Sequence, residues 1–194
     1  LWKIDSDKNI EVLLKDFQGK RFNGPNDLWI DPKGGIYFTD PFYQRPYWKH
    51  TVPYLSTNNV YYLSPDRIVS KVATDLDQPN GIIGTSDGSL LYVSDIDRQV
   101  TYSYQIGADG NLSNQKLFVA MGSDGMTLDE FGNVYLTGEG ISIFDTTGKK
   151  IEYIKIEEPW TANVTFAGPK RDMLFITASK AIYTLKMKVR GAHR

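Results

Sequence analysis

Short runs of alternating apolar and polar residues recur along the chain, and no segment holds an amphipathic helical period of useful length. "NNVYYLSP", "QVTYSYQI", "GISIFDT" and "KAIYTLKM" combine period-two apolar spacing with β-branched and aromatic residues, which predicts strands. "DRIVSKVATDL" and "KKIEYIKIEEP" keep apolar positions but carry more charge, as outer strands with one solvent edge should. A longer unit precedes these strands and occurs four times. It reads "GPNDLWIDPKGGIYFTD" from Gly24, "QPNGIIGTSDGSLLYVSD" from Gln78, "GSDGMTLDEFGNVYLTG" from Gly122 and, more faintly, "TANVTFAGPKRDMLFITA" from Thr161. Asn26, Asn80, Asp124 and Asn163 open the four units, and Tyr37, Tyr92, Tyr135 and Phe175 centre the apolar run that follows. A turn rich in Gly, Pro and Asp lies between, the usual punctuation of a hairpin.

The openers are about 40 to 55 residues apart, the period of propeller blades. Four short strands per repeat at that spacing predict an all-β protein, a β-propeller of four-stranded blades with about four blades visible. If Asn, Asp, Pro and Gly only made turns here, the openers could vary freely among Gly, Ser, Asn and Asp. Instead every unit opens with an amide or a carboxylate. The inner strands of a propeller line its axial channel, so their first residues converge at one mouth of it. A ring of oxygen donors at that place predicts a cation site.

Composition narrows the function classes. The 194 residues suit one domain of moderate size, and 22 Lys+Arg against 23 Asp+Glu leave a formal charge of −1. That balance gives no electrostatic footprint for nucleic acid or an acidic membrane surface, and the apolar runs are too short to span a bilayer. The opening "LWKIDSDKNI" has neither a basic n-region nor an apolar h-region, and the compartment stays open. With no cysteine, disulfides, thiolate metal sites and a Cys nucleophile are excluded. There is no G-x-S-x-G and no H-E-x-x-H, and the two histidines, His50 and His193, form no cluster in sequence.

The four units, in this order and spacing, resemble the SMP-30/gluconolactonase family of six-bladed propellers over nearly the whole chain. The resemblance implies a divalent cation on the propeller axis, most often Ca2+, with Zn2+, Mg2+ and Mn2+ as the other candidates. It also implies hydrolysis of a small-molecule lactone, with gluconolactone as the name-giving substrate. Carried over residue by residue, Asn80 in "QPNG" and Asp124 in "SDGM" match metal ligands, and Asn26 in "GPND" matches an asparagine that ligates metal or touches substrate. Asp27 beside it is expected to support the site or its turn. The family's further ligand is a glutamate in an "EGP"-like first repeat, a segment absent from this sequence. Six blades need roughly 270 residues, so residues 1–194 are expected to form a single propeller domain lacking its first one to two blades, with "LWKID" from the end of an earlier one.

A hard cation held by such oxygens can polarise a lactone carbonyl and activate water. Asp124 is then the expected general base, the matched ligand able to accept a proton usefully. The aromatic, basic insert "PFYQRPYWKHTVPY" (residues 41–54) interrupts the repeat. It reads either as a surface excursion over a blade edge or as a lid bringing Tyr43, Arg45, Trp48 and His50 to a sugar-derived lactone. Arg21 and Glu139 are weaker candidates for substrate and metal, and Asn163 is expected to line the channel without touching metal. Two rivals to the lactonase are a non-catalytic binding propeller, favoured by the missing glutamate, and a related propeller esterase or phosphotriesterase. Oligomeric state is not indicated.

Overall fold

The computed structural model describes residues 1–192, and no helix occurs among them. A hairpin of β1 (Trp2–Ile4) and β2 (Ile10–Val12) comes first. β3 (Leu28–Ile30), β4 (Ile36–Asp40), β5 (Asn59–Leu63) and β6 (Val69–Ala73) form the first four-stranded antiparallel sheet. β7 (Pro79–Gly84), β8 (Leu90–Asp95), β9 (Val100–Ile106) and β10 (Leu112–Val119) form the second. β11 (Met126–Leu128), β12 (Val134–Thr137), β13 (Gly140–Phe144) and β14 (Lys150–Lys155) form the third. β15 (Thr161–Ala167), β16 (Met173–Ala178) and β17 (Ala181–Lys186) form a fourth sheet of three strands. Each sheet is a meander in chain order and makes one propeller blade, with its first strand facing those of its neighbours. His193 lies outside the described residues.

The fourth blade departs from the expected four strands. After β17 the chain turns back: the Met187 amide donates to the Asp172 carbonyl at 2.8 Å and the Ala192 amide to the Leu128 carbonyl at 3.0 Å. The Glu130 amide in turn donates to the Arg190 carbonyl at 2.7 Å. The backbone after β17 therefore pairs with the inner hairpin of the third blade rather than adding a strand to its own sheet.

The hairpin turns follow from local chemistry. In "DPKGG" the Asp31 carboxylate accepts the amides of Lys33 at 2.7 Å and Gly35 at 2.9 Å, and Gly34 takes φ +89°, which a residue with a Cβ adopts only under strain. "DEFGN" repeats the arrangement through Asp129, which accepts the amides of Phe131 and Asn133.

Apolar packing runs from blade to blade. Tyr37, with Trp29 and Tyr62, packs against Ile82, Leu91 and Val93 of the second blade. Tyr92 packs against Leu128, Val134 and Leu136 of the third, and Tyr135 against Val164, Leu174 and Ile176 of the fourth. Each repeating aromatic therefore belongs to the core it shares with its successor. Phe175, the fourth copy, is 36% exposed where Tyr37 is 0%, because no following blade covers it among the described residues. The opposite face of the first blade is partly covered by Leu1, Leu14, Phe17 and Phe22, which pack on Phe38 and Tyr61.

Polar contacts fix the register between blades. The Thr39 hydroxyl accepts the Asp27 amide at 3.1 Å and donates to the Asn80 carbonyl of the next blade at 2.9 Å. The Ser94 hydroxyl accepts the Ser123 amide at 2.5 Å, and the Thr137 hydroxyl donates to the Ala162 carbonyl at 3.3 Å. Beside two of these hydroxyls, a buried carboxylate fastens the loop leading into its own blade. Asp40 accepts the amides of Asn23 and Gly24, and Asp95 those of Asp77 and Gln78. Burial raises the Asp40 carboxyl above its ordinary pKa, partly offset by those two amides.

Thr39→Val keeps the shape of the side chain and removes the hydroxyl contacts to Asp27 and Asn80. The expected loss is about 1–3 kcal/mol in urea unfolding, since a part-buried amide and a buried carbonyl lose this partner. Thr39→Ser, which keeps the hydroxyl, should recover most of it.

Candidate functional site

The channel between the inner strands is a wide opening of about 1360 Å³, with Leu28, Ile82, Thr127 and Val164 among its lining residues. Where the strands begin, a separate pocket of about 490 Å³ is lined by Asn26, Tyr43, Arg45, Asn80, Ile96, Asp124 and Trp160. The larger space is flanked by apolar strand residues together with Asp27, Asn163 and Arg171. The smaller one gathers three of the four unit openers beside Tyr43 and Arg45, so it is the candidate site.

Three of the four unit openers meet there. Asn26 precedes β3, held by its own amide donating to the Thr39 carbonyl at 2.9 Å. Asn80 sits in β7 beside a break in register between Pro79 and Ile82, a β-bulge that re-aims a side chain near a sheet end. Asp124 is brought alongside by the Gly81 amide, which donates to the Ser123 carbonyl at 3.2 Å. Gly81 is required for this approach: a Cβ there would stand 2.9 Å from the Asp124 carbonyl oxygen and 3.0 Å from that of Ser123. The fourth opener, Asn163, lines the channel instead and turns its side-chain oxygen back to the Val164 amide at 2.8 Å.

Polar partners explain how the side chains are held. The Asn80 NH2 donates to the Tyr43 hydroxyl at 2.8 Å, while the Asn80 Oδ1 is buried and has no hydrogen-bond partner. A buried acceptor left unmade costs free energy, and here it lies in a side chain whose pocket also holds a carboxylate and a second amide. Burial raises the Asp124 carboxyl, and a hydrogen bond from Asn80 opposes the rise. Asp27 faces the channel and braces two blades, accepting the Leu28 amide at 2.9 Å and the Ile82 amide at 3.2 Å. Burial pushes its carboxyl up to about 6 against the pull of those amides, and the negative charge of Asp124 adds to the rise.

An all-oxygen set of one carboxylate and two amides, with one buried carbonyl unpartnered, fits a hard divalent cation. Among the described residues no group of three His, Cys, Asp or Glu could hold a metal, so the fit depends on the amides.

The insert divides. Tyr43 and Arg45 line the pocket. Trp48 and His50 do not; they stack on each other with ring centroids 4.8 Å apart, between Phe42 and Tyr54, and the His50 Nε2 is buried without a partner. Arg21 and Glu139 are exposed and outside the pocket lining. The pattern reading passed over Trp160, which lies on the pocket rim and is 54% exposed. Its signal was positional: it stands three residues before the opener Asn163.

Fold and site together define a β-propeller with convergent oxygen donors at one mouth of its channel. The chain belongs to the SMP-30/gluconolactonase/LRE-like family, whose profile matches residues 1–180. It is 30% identical to a gluconolactonase of Zymomonas mobilis subsp. mobilis, over 93% of this chain and 55% of that protein. The solved structure of a gluconolactonase from Xanthomonas campestris superposes with a TM-score of 0.86 at 30% identity, covering 95% of this chain and 64% of that one. A calcium-binding protein, regucalcin, from Agrobacterium tumefaciens shares the fold, with a TM-score of 0.74 at 20% identity over 96% of this chain and 68% of that one. The chain spans about half the length of the curated relatives it matches.

Gly81→Ala is expected to push the bulge of β7 away from the Ser123–Asp124 turn and so part Asn80 from Asp124. Overpacking of this kind costs about 1–3 kcal/mol, readable in thermal unfolding, and cation binding in calorimetry should weaken with it.

Proposed function

We propose that the protein is a divalent-cation-dependent lactone hydrolase, gluconolactonase-like in substrate class, with Ca2+ the preferred ion. The observation that carries this reading is the buried, unpartnered Asn80 Oδ1 in a pocket shared with Asp124 and Asn26. The gluconolactonases among its relatives support it. Asp124, Asn80 and Asn26 would hold the ion. When bound, such an ion supplies Lewis acidity toward a carbonyl and lowers the pKa of water.

The chain's own groups do the rest. The Asp124 carboxylate takes the proton of the attacking water and returns it to the departing ring oxygen, so the acyl C–O bond of the lactone breaks and a hydroxy acid forms. Arg45 offers a fork of N–H donors to the hydroxyl groups of a sugar lactone, and Trp160 gives an apolar rim to its ring. Trp48 and His50 shape the insert that presents Tyr43 and Arg45. In the same reading residues 1–194 are one propeller domain, whose exposed Ile30 and Ile182 are faces for further blades.

The test is hydrolysis of gluconolactone with Ca2+ and after chelation, on wild type and Asp124→Asn. The expected result is turnover that chelation removes and that Asp124→Asn lowers about 10²- to 10⁴-fold, the usual range for a lost general base. Turnover indifferent to chelation would sink the metal reading. Ca2+ binding without turnover of any lactone or ester offered would favour the non-catalytic propeller.

A further inference from the structure

We infer that Tyr43 is a positioning residue whose hydroxyl sets which end of the Asn80 amide faces the cation. The inference deepens the reading above and rests on it. A carboxamide is nearly symmetric in shape, so a half-turn about its last bond exchanges C=O and NH2 at little steric cost, and its partners decide the orientation. One of the two Asn80 N–H groups goes to the Tyr43 hydroxyl at 2.8 Å. The Asp124 carboxylate lines the same pocket. The NH2 end of the amide therefore has a fixed acceptor, while Oδ1 is left buried and unpartnered.

Asp124 would turn its lone pairs to the ion and so offers the amide no fixed acceptor. The Tyr43 oxygen keeps its hold, since a phenol that is not itself a ligand gives up nothing to the ion. Without that oxygen the NH2 end could turn toward the ion, replacing a ligand with a group that repels positive charge.

Tyr43 is built to stay where it is. The Phe42 amide donates to the Asn58 side chain at 2.9 Å, and the Gln78 side chain donates to the Phe42 carbonyl at 3.2 Å. The residue before Tyr43 is thus tied on one side to the loop entering β5 and on the other to the loop entering β7. The Asn80 backbone is fixed in turn by the Thr39 hydroxyl on its carbonyl. Hydroxyl and amide meet because both backbones are fixed, and only the amide's half-turn remains free.

The test is a double-mutant cycle read by calorimetric Ca2+ titration without substrate. Tyr43→Phe keeps the ring and removes the hydroxyl. The expected effect is a 10- to 100-fold weaker Kd, the usual consequence of losing a partner that orients a ligand. Asn80→Asp replaces the amide with a carboxylate, whose two oxygens make the half-turn irrelevant. In that background Tyr43→Phe should leave the Kd unchanged, and the difference between backgrounds is the coupling. Far-UV circular dichroism confirms that each variant is folded.

Equal Kd for wild type and Tyr43→Phe would overturn the inference and leave the cation site standing. So would an equal loss in both backgrounds, which would mean that Tyr43 acts otherwise than through the amide. A raised KM with unchanged Kd would make Tyr43 a substrate contact instead. Absence of Ca2+ binding by wild type overturns this inference together with the reading beneath it.

Discussion

A hydroxyl on the second strand of one blade reaches the backbone that opens the next, and the site depends on that spacing. Thr39 fixes the carbonyl of Asn80, Ser94 the amide of Ser123, and Thr137 the carbonyl of Ala162. Apolar packing alone could not do this, because dispersion and burial are indifferent to small slides along a strand. A hydrogen bond is not; it weakens within a few tenths of an ångström or a few tens of degrees. The cores between blades bring the inner strands together, and the hydroxyls set where along the axis each begins. Asn80 and Asp124 come from different blades, and these contacts and the bare Gly81 bring them into one pocket.

Electrostatics makes that convergence costly. Asp27 and Asp124 are both pushed toward their neutral forms by burial, and the charge of Asp124 raises Asp27 further. Desolvated like charges are tolerated when something offsets them. Two backbone amides, Leu28 and Ile82, do so for Asp27, and a positive ion would do so for Asp124. The fold thus spends backbone donors on the carboxylate that braces and leaves the other available.

Much of this was legible in the chain. The repeating opener, turn and aromatic located the blades, because each element has a local physical cause: an Asx-type turn at Asp31 and Asp129, or a tyrosine large enough to fill a gap between sheets. Asn26, Asn80 and Asp124 were grouped by position in the repeat, and they share a pocket for the same reason. What escaped was non-local. The recurring hydroxyl in "FTD", "VSD", "LTG" and "ITA" was in plain view, but its meaning depends on a neighbouring blade. The insert shows the same limit. Composition marks Tyr43, Arg45, Trp48 and His50 alike, whereas stacking between Phe42 and Tyr54 draws two of them away from the pocket. The three-stranded fourth sheet could not be read either, since "KAIYTLKM" does not reveal that the chain after it returns to Leu128.

The repeating aromatic has a thermodynamic consequence. Since Tyr37, Tyr92 and Tyr135 are each buried by the blade that follows, much of the stability of these three blades resides in the junctions between them. Such a molecule behaves as a one-dimensional chain of coupled units, in which a unit with two neighbours is held far better than one with a single neighbour. The second blade, which carries Asn80, has a partner on each side, and its inner strand is held from both.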